Sequence, residues 1–132
     1  MANTTTPRVH VKLRVACPSH LASELQALGQ LAFAPQSSRR VIKFEGVPVW
    51  QVRVNEVESW DLDHAIDDAL ATLSPELESI DEFCRQHSLS KWLSVSCEFN
   101  ESPPSIVLSM DLLKALVEWG LWLDLHMDLL RA

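Results

Sequence analysis

Arg8-Val9-His10-Val11-Lys12-Leu13-Arg14-Val15-Ala16-Cys17 decides the class of fold. Val9, Val11, Leu13, Val15 and Cys17 alternate with Arg8, His10, Lys12 and Arg14, the period-2 pattern of a strand with one buried and one basic face. A strand of this kind needs helices over one side of its sheet and leaves the other side uncovered. Pro18 ends the strand, and Ser19 caps a helix carrying Leu21, Leu25 and Leu28, with Gly29 near its C-terminus. The stretch 30–38, closing on Pro35-Gln36-Ser37-Ser38, reads as a connection.

Two strands flank Gly46. The first holds Val41, Ile42 and Phe44; the second runs from Val49 to Val54 with Trp50, Val52 and Val54 on its core side. Glu45-Gly46 marks a tight hairpin between them. Asp61 caps a helix with Leu62, Ala65, Ile66, Ala69, Leu70 and Leu73 at spacings of three and four. Ser74-Pro75-Glu76 is a second helix start, and Leu77, Ile80, Phe83 and Cys84 continue the stripe. The spacing therefore predicts one long helical element over 61–87, bent near Pro75.

Leu93, Val95, Cys97 and Phe99 form the next strand, with Trp92, Ser94, Ser96 and Glu98 opposite. Asn100 to Ser105 is a loop. Ser109 caps a helix bearing Leu112, Leu113, Leu116 and Val117, which Gly120 stops. The last strand turns Leu121, Leu123, Leu125 and Met127 inward and Trp122, Asp124, His126 and Asp128 outward. The order β-α-β-β-α-β-α-β predicts an α+β protein, a mainly antiparallel sheet of about five strands with helices packed on one face. It has a ferredoxin-like β-α-β-β-α-β start followed by an α-β extension. Residues 1–7 read as a disordered N-terminus and 8–132 as a single domain.

The totals fit that picture. At 132 residues, with 47% apolar and 22% charged side chains, the chain has material for one real core. Its net charge of −7 argues against nucleic acid and against an anionic membrane as partners. Cys17, Cys84 and Cys97 are too few and too scattered for a disulfide framework, which with a polar N-terminus lacking a signal-peptide pattern places the chain in the cytoplasm.

The pattern from Val9 to Leu129 resembles a bacterial domain-of-unknown-function family, number forty-two seventy-nine in that series. The resemblance is carried by Val11-Lys12-Leu13-Arg14-Val15, by the Gly46 to Trp50 segment, and by the acid-led helix Leu62 to Leu73 closing on Ser74-Pro75. It continues through Leu93-Ser94-Val95 and through Leu108-Ser109-Met110-Asp111-Leu112-Leu113, then Leu116, Gly120, Leu121 and Leu123 to Asp124. The chain departs from the pattern at His126-Met127, where members commonly close on an aromatic residue. The resemblance implies an α+β fold and no established activity. Small acidic bacterial proteins of this kind also look like toxin-neutralising immunity proteins, which is an analogy and not a motif match.

Between Arg53 and Arg85 stand ten acids and no lysine or arginine, more than half of the 18 acidic residues of the chain. A solvated helix face usually mixes signs to gain i,i+4 pairs, so a one-signed stretch points to recognition of a basic partner. Glu56, Glu58, Asp61, Asp63, Asp67 and Asp68 lie closest together in sequence and form the expected contact set. The plainer reading is a solvated face whose acids sit near two helix N-termini. Trp92 and Trp122, on strand faces opposite the Leu and Val rows, either mark a partly exposed sheet surface that a partner or a second copy uses or are covered by the C-terminal tail or an edge loop.

Chemistry is less visible. The chain carries no GxSxG, HExxH, P-loop or dinucleotide fingerprint. Asp124, His126 and Asp128 alternate on one strand, where neighbours on a face stand about 6.5–7 Å apart, too far for adjacent ligands of one ion. Their simpler role is to offset the basic face of the first strand. The acids between 56 and 68 lack the glycine of a calcium loop. Cys17 with His20 nearby is the one conceivable nucleophile. The expectation is a non-catalytic binding protein without cofactor or metal. Its most concrete form is an immunity protein occluding a basic toxin domain; a homodimer through the aromatic sheet face comes second, and a small hydrolase or metal enzyme third.

Overall fold

Val9, Val11, Leu13 and Val15 lose all contact with solvent, while Arg8 to Arg14 on the alternate positions keep theirs. That strand is β1 (Arg8–Ala16), the central strand of the sheet in a computed structural model that describes residues 6–27 and 40–130. The other elements are α1 (Ser19–Ala27), β2 (Arg40–Phe44), β3 (Val47–Glu58), α2 (Leu62–Gln86), β4 (Lys91–Phe99), α3 (Met110–Glu118) and β5 (Trp122–Leu129). The strands run β2-β3-β1-β4-β5 across the sheet, antiparallel except for the parallel pair β4–β5. Ala22 and Leu25 of α1, the apolar stripe of α2 and Leu112 and Leu116 of α3 join the inward rows of the strands in one core. All three helices thus lie on one face of the sheet.

The chain signals its turns as expected. Glu45 and Gly46, both with positive φ (51° and 81°), close the β2–β3 hairpin, and the left-handed conformation at the second position is why glycine stands there. The Asp61 side chain accepts from the Asp63 N–H and starts α2, which runs through Pro75 as one helix. The Ser109 hydroxyl accepts from the Leu112 N–H and starts α3. The start of α1 lies one residue earlier than the hydroxyl of Ser19 implies, because the Leu21 and Ala22 N–H groups both bond to the Pro18 carbonyl. The 30–38 connection, Leu28, Gly29 and residues 1–5 lie outside the described residues. Pro7 is buried, and its carbonyl accepts from the Ser59 N–H.

One irregularity decides where the acids go. The β1–β3 register shifts between Val11 and Lys12, leaving Val54 as an extra residue: Lys12 faces Arg53, and Val11 faces Asn55. A period-2 strand that gains one residue changes sides. Val57, not Glu56, therefore continues the buried row, while Glu56 and Glu58 turn to the uncovered face opposite His10 and Arg8.

A second feature ties α2 to the sheet. Lys91, only 5% exposed, sets its ammonium 2.7 Å from the Asp81 carboxylate, which also meets Arg85 at 3.2 Å. Gly120, at φ 62°, passes beside this pair; a Cβ there would stand 3.5 Å from the Lys91 Nζ. Asp81 thus serves the core, and it is one of the ten acids of the one-signed stretch.

Candidate functional site

The sheet separates the six expected contact acids into two groups. Glu56 lies on the uncovered face, where its carboxylate stands 2.9 Å from His10 Nδ1 while Glu98 meets Nε2 at 2.6 Å. Glu58 faces Arg8 across the strand pair. Asp61, Asp63, Asp67 and Asp68 belong to α2 on the other side. Asp61 caps the helix, and Asp63 accepts from the Ser109 N–H at 2.7 Å, tying the start of α2 to the start of α3. Asp68 takes a long 3.4 Å bond from Asn55. Asp67, Asp68, Glu78 and Glu82 are exposed along the outward face of α2, and Arg85, in its last turn, is the exposed basic residue there.

Beside that acidic face stands an apolar surface that the sequence pattern concealed. Met110 (67% exposed), Leu113 and Val117 (79%) recur at spacings of three and four along the outer side of α3, while only Leu112 and Leu116 are buried. Leu113 and Val117, expected in the buried stripe, are thus on the surface. The helix has apolar residues on more than one face, and its short length lets only one of them reach the core. Ile106, Val107 and Trp60 extend the exposed set. Ser105 bonds the Trp60 carbonyl through its N–H and the Leu62 N–H through its carbonyl, so residues 105–110 run alongside the start of α2. The apolar stripe and the acids of α2 adjoin at Asp61 and Asp63. The signal was present in the sequence: six apolar residues within Met110 to Val117 exceed what one buried stripe uses.

The uncovered sheet face carries the expected indoles in an unexpected arrangement. Trp122 is 63% exposed, but Trp92 is only 7% exposed, because Trp122 stacks on it with ring centroids 5.7 Å apart and Phe44 reaches it at 6.2 Å. Beneath them Val49 is closed off from solvent on the side away from the helices. A cavity of about 470 Å³ opens between this aromatic group, the β2–β3 hairpin and Asp124. Sequence reasoning missed Phe44, since only the register Phe44–Val47 sets it on this face.

The model of the domain of unknown function DUF4279 matches residues 24–130. The chain belongs to this family. No curated protein and no solved structure matches it. The match to DUF4279 spans α2, the β4–α3–β5 unit and both surfaces just described, so each is part of the family domain rather than an appendage.

In this DUF4279 domain the chemistry-bearing groups are dispersed. Among the described residues no three His, Cys, Asp or Glu side chains are placed to hold a metal ion. His126 and Asp124 lean together to 3.0 Å despite their strand spacing. They do not neighbour β1, since β4 lies between, although Asp124 still raises the pKa of the Arg14 guanidinium against the lowering by burial. Cys17 is buried and donates its thiol to the Pro18 carbonyl at 3.3 Å, and burial raises its pKa, the reverse of what a thiolate nucleophile needs. Burial likewise raises Cys97 and pushes Cys84 up to about 11. In the native protein at neutral pH, a thiol reagent is expected to titrate none of the three cysteines, and all three after denaturation. The raised Cys84 value adds a pH dependence. Above the ordinary thiol value of 9.0 the unfolded chain releases a proton that the folded chain retains up to about 11. The folded state then binds more protons, so stability falls as pH rises through that window. A Cys84→Ala variant, compared with the parent in urea at pH 8 and pH 10.5, is expected to show a smaller loss.

Among the described residues no helix is long and apolar enough to cross a membrane.

Proposed function

We propose that this DUF4279 domain is a non-catalytic cytoplasmic binding protein that docks a basic protein partner on its helical side, acting as a bacterial immunity protein that occludes a cognate toxin. The observation that carries this reading is the exposed stripe Met110, Leu113 and Val117 adjoining the mainly acidic outer face of α2, where Arg85 in the last turn is the basic residue. Contiguous apolar surface rimmed by polar groups is how protein interfaces are built, with a desolvated centre and a charged border. The acids Asp67, Asp68, Glu78 and Glu82 make the border mainly negative, against Lys114 and Arg85. They steer a basic partner toward the stripe, an effect worth roughly 10–10³-fold in association rate and lost as salt rises. The assignment as an immunity protein rests on analogy with small acidic bacterial proteins, and the unpaired thiols support a reducing compartment.

The test is to mix the purified protein with the product of the neighbouring gene. A stable complex and protection from killing are expected; absence of both sinks the reading. A rival has its own observation: Trp122 is exposed and stacked on Trp92, which suits a homodimer joined through the sheet face. Light scattering that shows a monomer at every concentration removes that rival.

A further inference from the structure

The uncovered face of the sheet gathers four cations that form no direct ion pair among the described residues, with Asp124 the acid that acts on Arg14. Lys12 and Arg53 stand directly opposite each other on β1 and β3; Arg14 and Arg40 flank Gln51 on the adjoining line across β1, β3 and β2. Like charges opposite one another destabilise a strand pair. Among the described residues none of the four forms an ion pair, in a chain whose net charge is −7. Burial lowers the pKa of Lys12, and repulsion from Arg14, Arg40 and Arg53 lowers it further.

Arg14 joins this cluster to the aromatic group. Its Nε donates to Gln51 Oε1 at 2.9 Å, and its guanidinium carbon lies 5.3 Å from the centre of the ring of Phe44, which lines the cavity while Arg14 stands behind it. Trp122 is stacked on Trp92 through one face and remains 63% exposed, leaving its other face for a second ring. The cavity, about 470 Å³, falls within the range that holds a small ligand. Glu45 and Asp124 at its edge offer oxygens to amino groups on a ring.

We propose that this face binds a nucleoside monophosphate, its base stacked on Trp122 and its phosphate held by Arg14 with Lys12, Arg53 and Arg40. A planar ring with amino donors meets the indole and the two carboxylates, and one phosphate meets cations that form no ion pair among the described residues. The overall negative charge of the chain works against a longer polyanion, so the ligand is a mononucleotide rather than a strand.

Calorimetry of the full chain with adenosine monophosphate, adenosine and inorganic phosphate tests this. The monophosphate is expected to bind more tightly than either part alone and to quench tryptophan emission. Trp122→Ala, at an exposed position, weakens it about 5–100-fold, the worth of one stacked base. Lys12→Gln with Arg53→Gln brings its affinity down to that of adenosine and flattens its salt dependence. Ser79→Ala, exposed on α2 on the opposite side of the sheet, leaves it unchanged. Equal binding of phosphate and monophosphate, indifference to Trp122→Ala, tighter binding of an oligoadenylate, or no heat up to millimolar ligand each overturns the proposal.

Discussion

Replacing Asp81 by Asn is expected to lower the stability of the folded protein by about 3–5 kcal/mol, the usual cost of removing one member of a buried ion pair. The Lys91 ammonium, 5% exposed and 2.7 Å from the Asp81 carboxylate, keeps its burial and loses its counter-charge. Against a total of about 5–15 kcal/mol for a domain of this size, the loss is large. It is read as a drop of more than about 1 M in the midpoint of urea unfolding at pH 7. The double replacement Asp81→Leu with Lys91→Met removes both charges and is expected to recover most of the loss, because hydrophobic substitutes of similar volume commonly match a buried pair. A single mutant as stable as the parent contradicts this account of the α2–β4 junction.

The same pair shows why the acidic stretch was only partly legible. Charge and position along the chain identify ten acids, but not their work. Asp81 neutralises Lys91, Asp61 and Asp63 tie helix starts, and Glu56 meets His10. Glu56 and Glu58 leave the group through the bulge at Val54, a single extra residue that reverses the sides of β3. The sequence did contain its trace, since Val52, Val54 and Val57 break the period of two. Periodicity that extends over many residues was read correctly, as in β1, the stripe of α2 and the inward row of β4. Short elements were not, because nine residues of α3 carry apolar groups on two faces and only packing chooses between them. The cover of Trp92 is not legible in the sequence for a related reason: it comes from Trp122 and Phe44, which neighbour it only through the strand order.

Val117→Arg is expected to abolish partner binding, weakening it 100-fold or more. Val117 is 79% exposed, so the free protein loses no core contact and keeps its stability within about 0.5 kcal/mol. In the complex the guanidinium is buried at the apolar centre of the interface, where an unpaired charge is costly, and it faces a partner of its own sign. Met110→Arg, one more position on the stripe, is expected to behave alike. Replacing Asp67 and Asp68 by asparagine acts differently: both lie on the border, so the association rate and its salt dependence fall while dissociation changes little. This division, between a stripe that sets the lifetime of the proposed complex and acids that set the speed of encounter, is what docking on the helical side predicts.

The most direct test of docking on the helical side is the affinity of the neighbouring gene's product for three forms of the protein: the parent, Val117→Arg and Trp122→Ala. The account predicts tight binding by the parent and by Trp122→Ala, and none by Val117→Arg. Binding that survives Val117→Arg but is lost with Trp122→Ala would place the partner on the sheet face and contradict it.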